Sequence, residues 1–359
     1  MAAHRIDRFL QLMMDRGASD LHLSVGRSPM LRLSGEVDPI RYRVLTNRDY
    51  VQLIKPIVPG DDYWQRFLSR GDLDFSYDVP KLARFRVNLF MQELGFGAVF
   101  RVIPSQLMTL SQLGMSAAVS KLTRLPRGLV LVTGPTGSGK STTLSAVIHQ
   151  INSERSLHII TIEDPIEFVH QPVKSVITQR EIGTHARSFA EALKSAVRED
   201  PDLILVGEMR DLETIQLALT AAASGLLVFG TLHTNSAAKT IDRIINVFPQ
   251  DEQDGVRSIL AETLQAVLSQ QLLRKAEGGR VAAVEIMFGG GALPNLIREG
   301  KTHQLTSYIL AGKKQGMLSM DQALLQLLQN GTVTEEAAYE KAIDKQEFRK
   351  HLKNPPPEE

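Results

Sequence analysis

At 359 residues the chain is too long for one compact core, so two domains are the first expectation. A composition of 43% hydrophobic and 23% charged residues is that of an ordinary globular protein, and a net charge of +1 gives no general case for nucleic-acid binding. The absence of cysteine excludes disulfides and thiolate metal sites outright.

Residues 1–16 carry His4, Arg5, Asp7, Arg8 and Asp15 among their apolar positions, so no signal-peptide core is expected there. Ile6, Phe9, Leu10, Met13 and Met14 fall at helical spacing and mark one buried face. Runs at 21–25, 30–33, 85–90 and 98–102 alternate like half-buried strands, while 51–58 and 63–68 read as helical. Residues 1–103 therefore read as a small α+β domain. They hold 15 Lys plus Arg against 12 Asp plus Glu, and 13 of the 15 are arginine. Arginine suits bidentate phosphate or carboxylate contacts better than lysine does, although most arginines are solvated surface.

Residues 104–126, punctuated by Pro104, Gly114 and Pro126, read as a connection containing one short helix. The stretch that organises the rest follows at 128–142. Leu129 to Val132 is a short apolar run suited to a buried parallel strand. Gly134-Pro135-Thr136-Gly137-Ser138-Gly139-Lys140-Ser141 then matches G-x-x-x-x-G-K-S, and Thr142 leads into a helical pattern at 143–152. Strand, glycine loop and helix in that order are the context a phosphate loop requires, which sets this reading above that of a glycine-rich surface turn. Gly134, Gly137 and Gly139 let the backbone point N–H groups at an anion, and the helix N-terminus adds positive potential. Lys140 can reach the β- and γ-phosphates of a nucleoside triphosphate, and the Ser141 hydroxyl can join the shell of its Mg²⁺.

Beyond the loop, strand-like runs at 158–162, 203–206, 227–229 and 281–286 alternate with helical ones at 188–198, 211–224 and 254–273, implying an α/β domain with a largely parallel sheet. The long uncharged window 215–232 is interrupted by Gln216, Thr220, Ser224, Gly225 and Gly230, so it reads as a helix followed by a core strand and not as a membrane span. After Gly289 helical patterns return at 293–299, 302–311, 319–329 and 334–352, and 353–359, with three successive prolines, reads as a disordered tail. The expected division is 1–103, a connection at 104–126, an ATPase core at 127–290, a helical subdomain at 291–352, and the tail.

Hydrolysis of a γ-phosphate needs a metal, a carboxylate to orient or deprotonate water, and cations that answer the transition-state charge. Glu208 emerges just past the run 203–206, at the carboxyl end where ligands sit in open α/β sheets, and is the general-base candidate; the plainer role is a carboxylate at the start of the following helix. Gly207 stands where such a strand usually ends in an acid. Glu163, Asp164 and Glu167 follow another core strand, and one or two of them can hold water around Mg²⁺. His233 ends a third strand, as either a structural histidine or a γ-phosphate sensor. Arg84, Arg86 and Arg101, at or beside strand positions of the first domain, are candidates for closing on the phosphate.

In their order and spacing these boxes resemble the type IV pilus retraction ATPases, the twisting-motility branch of the secretion ATPase superfamily. The similarity runs through 19–23, 84–88, the phosphate loop, 161–167, 200–211, 230–234, 237–243 and 295–299, from about residue 5 to 330. It implies a PAS-like N-terminal domain, then a RecA-like P-loop motor domain with a helical C-terminal extension. It also implies roles for Glu163 and Glu208 at metal and water and for His233 near the γ-phosphate, with ATP and Mg²⁺ as cofactors. The implied assembly is a homo-hexameric ring, cytoplasmic and peripheral at the cytoplasmic face of the inner membrane. Its partners would be an inner-membrane pilus platform protein and, as a further candidate, a paralogous retraction ATPase. Pilus-assembly relatives carry an additional N-terminal domain and a tetracysteine zinc site, and their lack here favours retraction. The chain departs from the family at Leu226, where a histidine is usual, at Glu93-Leu94-Gly95 and at Pro294. Those departures keep open a regulatory paralogue. A DNA-translocating ring ATPase is disfavoured by the net charge.

Overall fold

A computed structural model describes residues 4–33, 35–103 and 107–353. Residues 354–359 of the expected tail, and 104–106 of the expected connection, lie outside the described residues. The chain divides into two compact units, Met1–Gln106 with Pro165–Val169, and Leu107–Asp164 with His170–Glu359.

The first unit opens with helix α1 (Asp7–Asp15), which buries Leu10 and Met13, with Ile6 buried just before its first turn. Strands β1 (Asp20–Ser24), β2 (Met30–Leu33) and β3 (Glu36–Pro39) follow. Helix α2 (Asn47–Ile54) is started by a capping box between Thr46 and Asp49, and α3 (Asp61–Arg70) is ended by Gly71 at φ +84°, a conformation glycine adopts without strain. Strands β4 (Asp72–Val79), β5 (Ala83–Gln92) and β6 (Gly95–Ile103) complete an antiparallel sheet of order β3-β2-β1-β6-β5-β4. Two strands were not expected from the sequence. In β4, Leu73, Phe75 and Val79 alternate with outward aspartates, a period of two masked by residues that disfavour strands. β3 is exposed along its whole length, so it carries no apolar signal.

The second unit is built on a sheet of seven strands. These are β7 (Gly128–Thr133), β8 (His158–Glu163), β9 (Val176–Glu181), β10 (Leu203–Val206), β11 (Leu227–Leu232), β12 (Leu264–Arg274) and β13 (Arg280–Phe288), in the order β13-β12-β7-β11-β10-β8-β9. All neighbours are parallel except β12 and β13. On β7, Leu129 and Leu131 join a core formed with α5 (Phe189–Ala196), α6 (Leu212–Ala223), α7 (Ala237–Asn246) and α8 (Gln253–Thr263). Val130 and Val132 face the other way, onto α4 (Lys140–Glu154). Burial on both faces explains why the strand reads as a continuous apolar run. Leu110, Val119 and Leu122, within the expected connection, pack into that second core, and the short helix there is a 3₁₀ turn at Val119–Arg124.

The helical reading of 254–273 is corrected: α8 stops at Thr263 and β12 begins at Leu264. No glycine or proline separates them, and Leu, Gln and Ala favour helix, but pairing with β7 on one side and β13 on the other overrides propensity. Beyond β13 come α9 (Leu293–Arg298), α10 (Leu305–Ala311) and α11 (Met320–Gln329), then α12 (Glu335–Lys341) and α13 (Lys345–Arg349), where a single helix over 334–352 was expected. The break falls where Asp344 caps α13 by accepting the Glu347 N–H at 2.9 Å.

Candidate functional site

The loop 134–139 links the end of β7 to the first turn of α4. Gly137 and Gly139 take φ of +79° and +90°, which lets the loop turn its amides inward. A Cβ at Gly134 would stand 2.3 Å from the Gln270 carbonyl oxygen and 2.5 Å from Ser138 Oγ, so the position admits no side chain. Lys140 Nζ donates to the carbonyls of Gly134 and Pro135 at 2.8 and 3.1 Å. Ser138 is buried and its hydroxyl has no hydrogen-bond partner among the described residues. A buried hydroxyl left unsatisfied inside a glycine loop is costly in a finished protein interior and fits a loop made to receive oxygens from outside. Thr136 and Ser141 are exposed, Thr142 half-buried. Gln270 Nε2 supports the loop from below by donating to Thr143 Oγ1 at 3.0 Å.

Strands β7, β11, β10 and β8 are consecutive parallel neighbours, and their register aligns Thr133 with Leu232, and Val206 with both Gly230 and Ile162. Four candidates far apart in sequence therefore leave one carboxyl edge: the phosphate loop after β7, His233 after β11, Glu208 after β10, and Glu163 as the last residue of β8. His233 Nε2 donates to Glu208 Oε1 at 2.7 Å, and Arg210 forms an ion pair with the same carboxylate. Burial raises the Glu208 carboxyl, but the hydrogen bonds and charges of Arg210 and His233 outweigh it and hold the group below its ordinary value. Glu163 Oε1 accepts from Thr161 Oγ1 at 2.7 Å and Gln179 Nε2 at 3.1 Å, which fix its direction.

Gly207 has a physical reason for standing where an acid was expected. Its N–H donates to the Ile162 carbonyl at 2.7 Å, and a Cβ would lie 2.9 Å from that oxygen and 3.2 Å from the Glu163 Cα. Met209 N–H in turn bonds the Thr231 carbonyl at 3.0 Å. The three strand ends are thereby locked together, and the first acid that fits is Glu208.

Asp164 is exposed and Glu167 half-buried, and Asp164 adds to the charge felt by Arg210. Arg84 and Arg86 lie on β5 and Arg101 on β6, with Arg86 and Arg101 directly opposite in the ladder. Arg101 Nε bonds Asp20 Oδ1 at 2.7 Å and Arg86 approaches Asp74 at 3.8 Å, so both answer carboxylates of their own sheet. Arg210, Gln179 and Thr161 were missed in the sequence. The signal for Arg210 was a cation two residues past the base candidate; for Gln179 there was none, because β9 itself was not legible. Leu226, where the family histidine is absent, precedes β11 and accepts the Gly128 N–H at 2.9 Å, at the edge of the sheet opposite the phosphate loop.

Among the described residues no helix is long and apolar enough to cross a membrane, and no cluster of three or more His, Cys, Asp or Glu can hold a metal ion. Comparison with known proteins shows a family and, among other likenesses, the following. The family described as Type II/IV secretion system protein matches residues 2–284. The chain is 53% identical to the type IV pilus retraction ATPase PilT of Pseudomonas aeruginosa over 94% of its own length and 98% of the relative's. It is 36% identical to the type IV pilus ATPase PilU of the same organism, over 97% and 91%. The crystal structure of the pilus retraction motor PilT with bound ADP superposes with a TM-score of 0.89 at 43% identity, covering 96% of this chain and 99% of that one.

Proposed function

The chain belongs to the type II/IV secretion system protein family, and we propose that within it the protein is the ATP-hydrolysing motor that powers type IV pilus retraction. The observation that carries the reading is the meeting of Glu208 with His233 on strand ends beside the phosphate-loop strand.

In this reading the loop amides and the first turn of α4 hold the β- and γ-phosphates. Lys140 exchanges its two loop carbonyls for phosphate oxygens, and Ser141 offers its hydroxyl to Mg²⁺. Bound Mg²⁺ supplies charge neutralisation on the phosphate oxygens. Glu208, kept ionised by Arg210 and His233, takes the proton of the attacking water. Glu163 orients water from the neighbouring strand end and would help hold Mg²⁺ there, and His233 responds to loss of the γ-phosphate through its bond to Glu208.

The working assembly is a homo-hexameric ring at the cytoplasmic face of the inner membrane, acting on a pilus platform protein. Its sites lie near subunit boundaries, closed partly by Arg84, Arg86 and Arg101. An accessory paralogue is the second reading, and the identity values, 53% against 36%, favour the principal motor. Leu226 does not count against hydrolysis, since it stands at the far edge of the sheet from the loop.

The test pairs ATP turnover of the purified protein with microscopy of pilus retraction in a strain whose own retraction ATPase is deleted. Turnover together with restored retraction supports the motor. Turnover with retraction restored only beside a second retraction ATPase supports the accessory reading, and absence of turnover refutes both enzymatic readings.

A further inference from the structure

The first unit contains a cavity of ≈ 320 Å³ that nothing in the ATPase reading uses. Its wall is cationic. Arg5, Arg8 and Arg16 come from α1 and its flanks, and Arg41 comes from the chain just past β3. Residues 5, 8, 9, 12 and 16 recur at helical spacing, so α1 presents one face to the cavity, while Ile6, Leu10 and Met13 face the core. Phe9 and Tyr42 also line it, their rings edge-to-face with centroids 5.0 Å apart, and Leu12 and Ile40 add apolar surface.

Elsewhere in the same domain Arg32 and Arg101 share Asp20, Arg43 pairs with Asp49, and Arg86 with Asp74. Among the described residues Arg5, Arg8, Arg16 and Arg41 form no ion pair. Arg27, Arg48, Arg66 and Arg70 of this domain likewise form no ion pair among the described residues, but the four arginines of the cavity wall are set apart by sharing one concavity. Arg5 is held instead by the neutral Gln52 side chain at 3.0 Å. The two acids of α1 have other partners, since Asp7 accepts from Tyr77 and Asp15 from Gln11. Among the described residues no acid lines the cavity. Four like charges around one concavity concentrate positive potential, and guanidinium groups offer paired donors matched to phosphate oxygens.

We propose that this cavity is a ligand site of the first domain, separate from the phosphate loop, that takes a nucleoside phosphate. The arginines take the phosphate oxygens and the base lies against Phe9 and Tyr42. The size falls within the range of small-molecule sites, and an aromatic wall beside cations is the combination that holds a planar base carrying a phosphate. Inorganic phosphate would satisfy the arginines but leave the aromatic wall unused.

The experiment uses the full-length protein saturated with ADP and Mg²⁺, so that the phosphate loop is filled. AMP and GMP, which lack the β- and γ-phosphates the loop grips, are titrated by calorimetry, with adenosine, guanosine and inorganic phosphate as controls. Expected is one site per chain for at least one monophosphate, at least tenfold tighter than for the matching nucleoside or inorganic phosphate. Binding should weaken at least tenfold in the Arg8→Ala/Arg41→Ala variant and in Tyr42→Ala, yet persist in Lys140→Ala. Arg8, Arg41 and Tyr42 are exposed, so these variants should keep the wild-type melting temperature. Absence of saturable binding up to about millimolar concentration would overturn the proposal, as would binding indifferent to the arginines or equally tight for inorganic phosphate. Arginine-dependent sedimentation with phosphatidylglycerol vesicles, without nucleotide binding, would overturn it in favour of a membrane surface.

Discussion

Glu208 and His233 share a hydrogen bond of 2.7 Å although a complete helix, α6, and a strand separate them in sequence. An ionised carboxylate only accepts, so the imidazole carries its proton on Nε2 and donates. The bond orients the carboxylate without neutralising it, which suits a group that must take a proton from water. Glu208→Gln should therefore keep nucleotide binding and lower ATP turnover about 10²–10⁴-fold. A loss of less than about tenfold in steady-state turnover would move the base assignment to Glu163.

Arg210 is the second group holding the Glu208 carboxyl below its ordinary value of 4.5. Removing it in Arg210→Ala should raise that value and move the acid limb of the kcat/KM profile upward, an effect moderated by solvent screening because Arg210 is largely exposed. The stability contributed by the pair has the matching sign. It is complete above the unfolded carboxylate value and disappears as pH falls through the lowered folded value. An acid limb that stays in place, measured from pH 4 to 8, would show that Arg210 does not tune Glu208.

Lys140→Ala should abolish ATP hydrolysis, since no other side chain of the loop carries charge to the β- and γ-phosphates. The melting temperature of the ligand-free variant serves as the folding control: a value near that of the wild type assigns the lost turnover to the site and not to misfolding. Wild-type turnover in this variant would remove the loop from the mechanism.

His170 gives the second unit a pH dependence of its own. Burial, with the charge of His149 as a smaller cause, pushes its imidazole down to about 4. The unfolded chain binds a proton near 6.5 while the folded chain resists it, so stability is complete above 6.5 and falls as pH drops toward 4, by about 3 kcal/mol at most. In His170→Gln the fall in melting temperature between pH 7 and pH 5 should be smaller than in the wild type by a few degrees. Equal falls in the two proteins would place the acid sensitivity elsewhere.

Helix α9 offers a test that distinguishes motor action from bare hydrolysis. Leu293 and Ile297 are buried in the core, whereas Arg298 reaches Glu262 on α8 at 3.3 Å and Glu299 pairs with Lys301. Arg298→Ala combined with Glu299→Ala opens no core cavity and should leave ATPase rate and oligomer intact while stopping retraction. Retraction at normal speed in a strain carrying only this variant would make the segment purely structural.

The candidate site was largely legible because its parts sit at ends of buried strands, where apolar runs and the residues after them are local signals. Glu163, Glu208 and His233 were each found that way. Their mutual contacts were not, since strand order decides which ends are neighbours. Arg210 escaped notice because its role lies in one ion pair, and Gln179 because Val176–Glu181 is an edge strand with little burial. The largest misreading, a helix where Leu264–Arg274 is a strand, shows pairing partners overruling residues with good helix propensity. In the first unit, β3 and β4 were hidden by exposed or acidic positions, although their places in the sheet are well defined.

The strand that carries the phosphate loop is flanked on both sides by late-arriving chain: Gly128 pairs with Leu227, and Leu129 with Leu264. During synthesis, β7 and its loop therefore leave the ribosome long before either neighbour exists to cover them. Contacts between such distant residues form slowly, so nucleotide affinity should arise late, once β11 and β12 have closed on β7. A growing chain halted before Leu264 would present the complete G-x-x-x-x-G-K-S sequence and still bind ATP weakly. Nucleotide in the cell would then act on the finished sheet, favouring the folded motor by mass action and leaving the nascent one untouched.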